Sequence, residues 1–225
     1  KFLIMKKLII ILLVSLWSSD ILAQRDYTHD DIKKYISDQK VFAVLPFTFK
    51  VTAEKPRKMS QEDFEAAVYD LEKNGAIVAQ ETVINRVLRK KNRVAVDPQP
   101  QARTNALLRR ASEITYTDGV YGAFDYYLPE ELCEMLGVDA VLMGNVNSWK
   151  IFTTGGSIAL KVLGFGGSPS VSADLTLFHK DGTMIWQWSS PTMKGGSMGN
   201  SVNEMMDYLF KKGARKMPYT GMEAK

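Results

Sequence analysis

Few residues of the chemically reactive types stand at spacings that support catalysis. The chain has two histidines, His29 and His179, and a single cysteine, Cys133. Neither histidine has an acid or a nucleophile at a recognisable spacing, so both are interpreted as surface residues rather than as a base or a ligand. Cys133 lies on the apolar side of a predicted helix, which favours a small buried side chain over a nucleophile. The sequence therefore predicts no catalytic residue.

The carboxylates also lack the arrangement that acid–base or metal chemistry needs. Asp139 and Asp174 lie in predicted strands without a matching second carboxylate. Glu130, Glu131 and Glu134 are typical of the solvated face of a helix. No cluster of His, Cys, Asp and Glu has the spacing of metal ligands, so neither a metal nor a cofactor is expected.

One segment, residues 112–127, concentrates aromatic rings around glycines without a clear periodicity. We refer to it as the aromatic loop, and its candidate partner-binding residues are Tyr116, Tyr121, Phe124, Tyr126 and Tyr127. Tyrosine suits a contact surface because its ring buries well and its hydroxyl tolerates water. The alternative is that the loop packs these rings onto its own domain.

Hydrophobic patterning predicts the elements around these residues. A buried strand is expected at 41–47, and Ser60 caps a long helix that Asn74-Gly75 divides in two. Further elements are a strand at 93–97 and a helix at 99–111. After a helix that ends at Gly137, the apolar run from Val138 to Val146 predicts a strand covered on both faces.

Past this strand the pattern becomes antiparallel and ends in a helix. Strands are expected at 157–163, 171–177 and 183–188, with Met184, Trp186 and Trp188 on one face. A terminal helix follows, with Pro218 after it. The predicted fold class is α/β: a mixed sheet with helices packed on it, C-terminal antiparallel hairpins and a terminal helix.

The N-terminus has the layout of a secretory signal. Lysines precede an apolar run at 8–16, and small residues follow, with cleavage expected after Ala23. The run is too short to span a bilayer comfortably, and no cysteine follows it for lipid attachment. The predicted organisation is therefore a signal peptide (1–23), a leader (24–40), a single α/β domain (41–218) and a tail (219–225). The mature chain is expected to be periplasmic or secreted, without a transmembrane segment.

Charge argues against a nucleic-acid partner. The chain carries 29 basic and 25 acidic residues, a net charge of +4. Cleavage after Ala23 removes three lysines and one aspartate, which leaves a net charge of +2. A nearly neutral surface offers no large electrostatic footprint for a polyanion.

Three segments in order resemble a known family of envelope proteins: VFAVLPF (41–47), LGVDAVLMGNV (136–146) and DGTMIWQW (181–188). The chain resembles proteins related to the curli-secretion protein CsgG, a group that includes LpoB and the N-terminal domain of TolB. It is most similar to small, periplasmic, lipoprotein-like members. These motifs are structural, so the resemblance implies a fold and an envelope location rather than a reaction.

Three hypotheses about function follow. The first is a non-enzymatic periplasmic or envelope-associated binding or assembly module, whose partner is another envelope protein or a further copy of itself. The alternative is an envelope hydrolase acting on carbohydrate or peptidoglycan, which a pair of convergent, buried carboxylates would favour. The third is a structural protein associated with lipid or peptidoglycan. Peripheral association with the outer membrane is left open.

Overall fold

An eleven-residue strand, Ala140–Lys150, lies where the apolar run from Val138 to Val146 predicts a strand covered on both faces. The computed structural model describes residues 26–55, 57–88, 96–115, 127–150, 170–194 and 202–219. The strands in these ranges are β1 (Asp26–Thr28), β2 (Val41–Val44), β3 (Thr48–Ala53), β4 (Asp97–Pro98), β5 (Ala140–Lys150), β6 (Ser170–His179), β7 (Met184–Ser189) and β8 (Met193–Lys194). The helices there are α1 (Ile32–Ser37), α2 (Gln61–Leu88), α3 (Gln101–Thr115), α4 (Pro129–Leu136) and α5 (Val202–Lys216).

The strands form one mixed sheet centred on β5. The sheet order is β1-β7-β6-β5-β2-β4, with β3 also paired to β5 and β8 to β6. One edge of β5 pairs in parallel with β2 and then β3, and its other edge pairs antiparallel with β6. The predicted α/β class with its antiparallel hairpin and terminal helix is confirmed. The predicted strand at 157–163 and residues 93–95 of another lie outside the described residues.

The first face of the sheet is mainly apolar, apart from the buried Ser148 and His179, and α2 and α5 cover it. Alternate residues of the strands point to this face, as the two-residue period of a strand requires. They bury against the apolar stripes of the two helices, and the members of this cluster from the two longest strands are Ala140, Leu142, Val146, Val171, Ala173, Leu175 and Leu177. An ion pair between Arg86 and Asp207 joins the two helices.

Among the described residues, helices cover the second face at one end. There α3 and α4 pack Leu108, Leu132 and Leu136 against β2 and the start of β5. Further along β5 and β6 this face becomes polar, with an exposed Asn145 and the half-buried residues Asn147, Ser172, Asp174 and Thr176. The alternation of buried and half-buried residues in β6 is that of an antiparallel strand with one solvated face.

A buried amide joins the two helical layers beyond the end of β2. Gln80 of α2 is fully buried and donates a hydrogen bond of 2.7 Å to the carbonyl oxygen of Val44. The same side chain exchanges hydrogen bonds with Asn105 of α3. Because a buried amide is costly unless its hydrogen bonds are satisfied, this group fixes how both helices meet the strand.

Helix α2 is continuous through Asn74-Gly75, so the predicted break is wrong. The reason is a close contact between the helix and β3. A Cβ atom at position 75 would lie 2.7 Å from the ring of Phe49, which is buried. Glycine is therefore present because the ring needs its space, and not because the helix ends there.

Strand β7 departs from a simple alternation. Leu177 pairs with Trp186, whereas the next residue, Phe178, pairs with Met184. This register shift leaves Ile185 as an extra residue, and both Ile185 and Trp186 are buried in the core of the first face. The prediction that Met184 shares a face with Trp186 is therefore wrong, whereas Trp186 and Trp188 both lie in this core.

Residues on either side of the predicted domain boundaries also pack on the sheet. Strand β1 pairs with β7, and Ile36 of α1 lies in the core. At the other end, Tyr219 is fully buried, contacts the ring of Phe42 and donates a hydrogen bond to Gln39. Residues 26–40 and Tyr219 thus add an edge strand, a short helix and an aromatic anchor to the domain.

The contact between Gly75 and Phe49 predicts that alanine at position 75 destabilises the protein, whereas helix propensity alone predicts that it stabilises the helix. Gly75→Ala should lower the free energy of unfolding by about 1–3 kcal/mol, because the added methyl group overpacks the buried ring. Propensity alone would favour alanine by about 1 kcal/mol. Asn74→Ala, at an exposed position of the same helix, is the control and should change stability by a few tenths of a kcal/mol at most. Urea denaturation measures both, and a more stable Gly75→Ala variant would contradict the packing argument.

Trp186 is only 3% exposed, so truncating its side chain should cause a large loss of stability. Trp186→Ala should cost about 3–5 kcal/mol, the usual range for a large aromatic side chain in a packed core. Leu128→Ala, at a side chain that is 57% exposed, should stay within about 0.5 kcal/mol. Thermal unfolding followed by circular dichroism distinguishes the two, and an unchanged melting temperature for Trp186→Ala would refute its role in the core.

Candidate functional site

The two histidines, 150 positions apart in the sequence, lie on either side of one tyrosine. The ring of Tyr35 is 5.1 Å from that of His29 and 5.0 Å from that of His179. His179 is buried, so its prediction as a surface residue is wrong. Its Nδ1 lies 3.1 Å from Asp181 Oδ1 but outside hydrogen-bond geometry, and His29 Nδ1 accepts the backbone N–H of Asp31. These contacts fix α1 against the sheet.

Cys133 is buried in the cluster between α4 and the second face of the sheet. Burial, and then the negative charges of Asp139 and Glu130, raise the pKa of its thiol to about 12. The thiolate is the nucleophilic form of cysteine, and such a pKa keeps the group protonated at neutral pH. The prediction of a small buried side chain is confirmed.

A cleft of about 430 Å³ between α4 and the start of β5 gathers several carboxylates, and two of them already hold backbone groups. Glu131 accepts the N–H of Leu128 at the start of α4. Asp139 accepts the N–H groups of Lys40 and Val41 and pairs with Lys180. In the described ranges, no group of three or more His, Cys, Asp or Glu is placed to hold a metal ion. Through Asp139, this end of the cleft holds the start of β2 and the turn after β6 against β5.

The aromatic loop is only partly described. Tyr116, Tyr121, Phe124 and Tyr126 lie outside the described residues, so their part in binding stays a prediction. Tyr127 is half-buried and packs against the cluster of the second face. Leu128, next to it, is among the most exposed large apolar side chains of the described chain.

The outer edge of β3 is the described surface best suited to a partner. Thr48–Ala53 pairs with β5 on one side, and no other described strand pairs with it. The N–H of Val51 points away from β5 and donates a hydrogen bond of 2.9 Å to Glu72 Oε1 of α2. The edge strand of a sheet is a template for pairing with another chain, and a charged side chain, such as that of Glu72 here, is a common way of protecting it.

A groove of about 370 Å³ follows this edge, between β3 and the first half of α2. Tyr69, on its wall, is 47% exposed. We call this surface the β3 groove, and its lining residues are Val51, Thr52, Ala53, Phe64, Glu65, Val68, Tyr69 and Glu72. It combines an apolar floor with a strand edge and two carboxylates.

Sequence reasoning missed the β3 groove, although a signal for it was present. Residues 48–53, TFKVTA, alternate polar and apolar side chains, which is the pattern of a half-covered strand. Phe49 and Val51 face the helices, and Lys50 lies opposite Asn147 on the polar face. The groove itself depends on the strand order, which alternation does not give.

Comparisons with known proteins give distant structural likenesses. No protein-family model matches the chain, and no curated protein does. The PelC dodecamer from Paraburkholderia phytofirmans is 15% identical, with a TM-score of 0.39 over 83% of this chain and 89% of that one. Lipoprotein GNA1162 from Neisseria meningitidis is 16% identical, with a TM-score of 0.38 over 79% of this chain and 95% of that one.

The LpoB C-terminal domain from Salmonella enterica is also similar, at 8% identity and a TM-score of 0.32 over 72% of this chain and 91% of that one. The relation to the group of CsgG, LpoB and TolB stays a prediction. Likenesses at this level assign no function, so the proposals below rest on the contacts within this chain. No helix among the described residues is both long and apolar enough to cross a membrane.

The hydrogen bonds of Asp139 predict how the stability of the chain depends on pH. Partial burial raises the pKa of Asp139, but the N–H groups of Lys40 and Val41 and the charge of Lys180 outweigh it and hold that pKa below its usual value. A carboxylate with a lowered folded-state pKa stabilises the fold above its unfolded pKa of about 3.9, and this contribution is lost as the pH falls through the folded pKa.

Asp139→Asn should therefore lower the free energy of unfolding by about 1.5–3 kcal/mol at pH 7, the usual range for hydrogen bonds to a charged group. The difference from the parent should stay constant down to about pH 5 and shrink below about pH 4. Urea denaturation across this range measures it, with Asp70→Asn on the exposed face of α2 as the control. A difference that grows in acid would contradict the assignment.

Proposed function

We propose that this chain is a non-enzymatic module of the bacterial cell envelope that binds another protein along the β3 groove. The observation that carries the proposal is the edge of β3, a six-residue strand that pairs on one side among the described residues and borders an apolar groove. Adding a strand to such an edge is a recurring mode of peptide recognition. The secretory signal layout supports a periplasmic or secreted location.

The alternative function, a hydrolase acting on carbohydrate or peptidoglycan, has less support. Such an enzyme needs two carboxyl groups on opposite sides of the bond that breaks. Asp174, on the polar sheet face, has Asn145 and Ser189 as its cross-strand neighbours. In the cleft between α4 and the start of β5, the carboxylates of Asp139 and Glu131 accept hydrogen bonds from backbone N–H groups. Asp139 and Glu131 are thus engaged in holding the fold.

The aromatic loop is a second candidate surface for the same function. Tyr127 and the exposed Leu128 mark where the loop meets the described domain. We propose that Tyr116, Tyr121, Phe124, Tyr126 and Tyr127 extend the contact with a protein partner or with a further copy of the chain. Tyrosine-rich surfaces suit this role because they bury large area at low conformational cost.

Capture of partners from an envelope extract tests both surfaces. Ala53→Pro removes an N–H from the outer side of β3, where proline is tolerated on an edge strand, and so blocks strand addition. It should reduce the recovery of bound envelope proteins at least about fivefold, whereas Ala53→Ser, which keeps the N–H, should not. Tyr121→Ala with Tyr126→Ala should weaken recovery without unfolding the domain.

Circular dichroism must first show that all three variants keep the parent fold. Unchanged recovery by Ala53→Pro would remove the β3 groove as the binding surface. Unchanged recovery by the double tyrosine variant would leave the aromatic loop as a cover on the domain. If all variants recover the same partners as the parent, the proposed function fails for both surfaces.

A further inference from the structure

We propose that the occupant of the β3 groove is an extended segment of a partner protein that carries a lysine or arginine with an apolar residue two positions away. This inference rests on the proposed function and adds the chemistry of the partner. The segment adds as a strand outside β3. Its basic side chain lies between Glu65 and Glu72, and its apolar side chains lie over Phe64 and Val68.

The backbone of β3 sets the geometry of this contact. The hydrogen bond from the N–H of Val51 to Glu72 shows that Val51 directs its backbone polar groups outward. Residues two apart in a strand point the same way, so Ala53 does the same. An added strand can therefore bond directly at Ala53, and at Val51 it takes the place of Glu72 as the acceptor of the N–H. Its side chains then alternate between the groove and the opposite face of the sheet.

The lining of the groove selects the side chains of the occupant. Two carboxylates, Glu65 and Glu72, line it, and no lysine or arginine does. They are seven residues apart on α2, about two helical turns, with Val68 and Tyr69 between them on the same side. A cation in the occupant would meet complementary charge there, and flanking apolar side chains would cover the floor.

The same charges disfavour a second copy of the chain as the occupant. If β3 paired with β3 of another copy about a two-fold axis, each Glu72 would approach its equivalent across the new strand pair. Like charges brought together at an interface repel one another and disfavour the wrong partner. A partner with a basic residue at this place instead relieves the concentration of negative charge.

A designed peptide tests this chemistry without knowledge of the natural partner. The probe is a capped, fluorescein-labelled peptide, Thr-Val-Thr-Lys-Thr-Val-Thr, whose valines and lysine share one face when it is extended. The control peptide has glutamate in place of lysine. Fluorescence anisotropy with the full chain, at low and high salt, gives the dissociation constant of each peptide.

The lysine peptide should bind at least about tenfold more tightly than the glutamate peptide, a difference of about 1.4 kcal/mol. This ratio should fall to about twofold or less in the variant Glu65→Gln with Glu72→Gln, whose amide oxygens still accept hydrogen bonds. High salt should reduce the ratio in the parent. Ala53→Pro should lose binding of the lysine peptide, whereas Ala53→Ser should keep it.

Equal binding of the two peptides, or no binding of either, would overturn the inference. Sedimentation velocity of the parent without peptide provides a second check. A dimer that Ala53→Pro converts to a monomer would identify a second copy as the occupant and also overturn it. If the peptides fail while Ala53→Pro still abolishes capture of envelope proteins, the proposed function stands and only the chemistry of the occupant is wrong.

Discussion

The enclosure of β5 is the constraint on which the rest of the structure depends. Its first residues, Ala140, Val141 and Leu142, are fully buried, so both faces of the strand need cover. Both of its edges are also paired, one with β6 and the other with β2 and β3 in succession. Parallel strands on the same edge require the chain to return over the sheet, and α2, α3 and α4 are the connections that do so. Just before β5, the carboxylate of Asp139 accepts two hydrogen bonds from backbone N–H groups at the beginning of β2.

This enclosure also explains why β3 is left with an outer edge. Strands β2 and β3 share one side of β5, and β4 continues the sheet only beyond β2. Helix α2 runs beside β3. There the missing side chain of Gly75 leaves room for the Phe49 ring, and the carboxylate of Glu72 accepts a hydrogen bond from the N–H of Val51. Among the described residues, β3 thus keeps an outer edge that lies next to a helix with apolar and acidic side chains.

Much of the fold could be predicted from local pattern, and the exceptions have physical causes. The continuous apolar run in β5 and the alternation in β6 are properties of single strands, so sequence revealed both. The Asn74-Gly75 pair led to the wrong prediction of a helix break, because the glycine makes room for the ring of Phe49, 26 positions earlier in the sequence. Met184 misled because a bulge shifts the register of β7 by one residue. The pairing of His29 and His179 around Tyr35 depends on strand β1 lying beside β7.

The candidate site was less predictable than the fold. Glu65 was visible only as part of the acidic first turns of a helix, and Glu72 had no distinguishing feature. Their role depends on which strand lies at an edge and which helix lies beside it, and both are tertiary facts. The aromatic loop, in contrast, stood out by composition alone, but composition does not say whether rings face a partner or the core.

Hydrogen–deuterium exchange tests the central claim, that the β3 edge is the binding surface, most directly. Exchange would be followed by mass spectrometry on the full chain, with and without saturating lysine peptide. The account predicts that exchange slows at least about fivefold at residues 48–53, while residues 140–146 and 171–177 are unchanged, since strand addition protects the amides that it engages. Protection confined to residues 116–127, or no change at 48–53 when the peptide is bound, would contradict it.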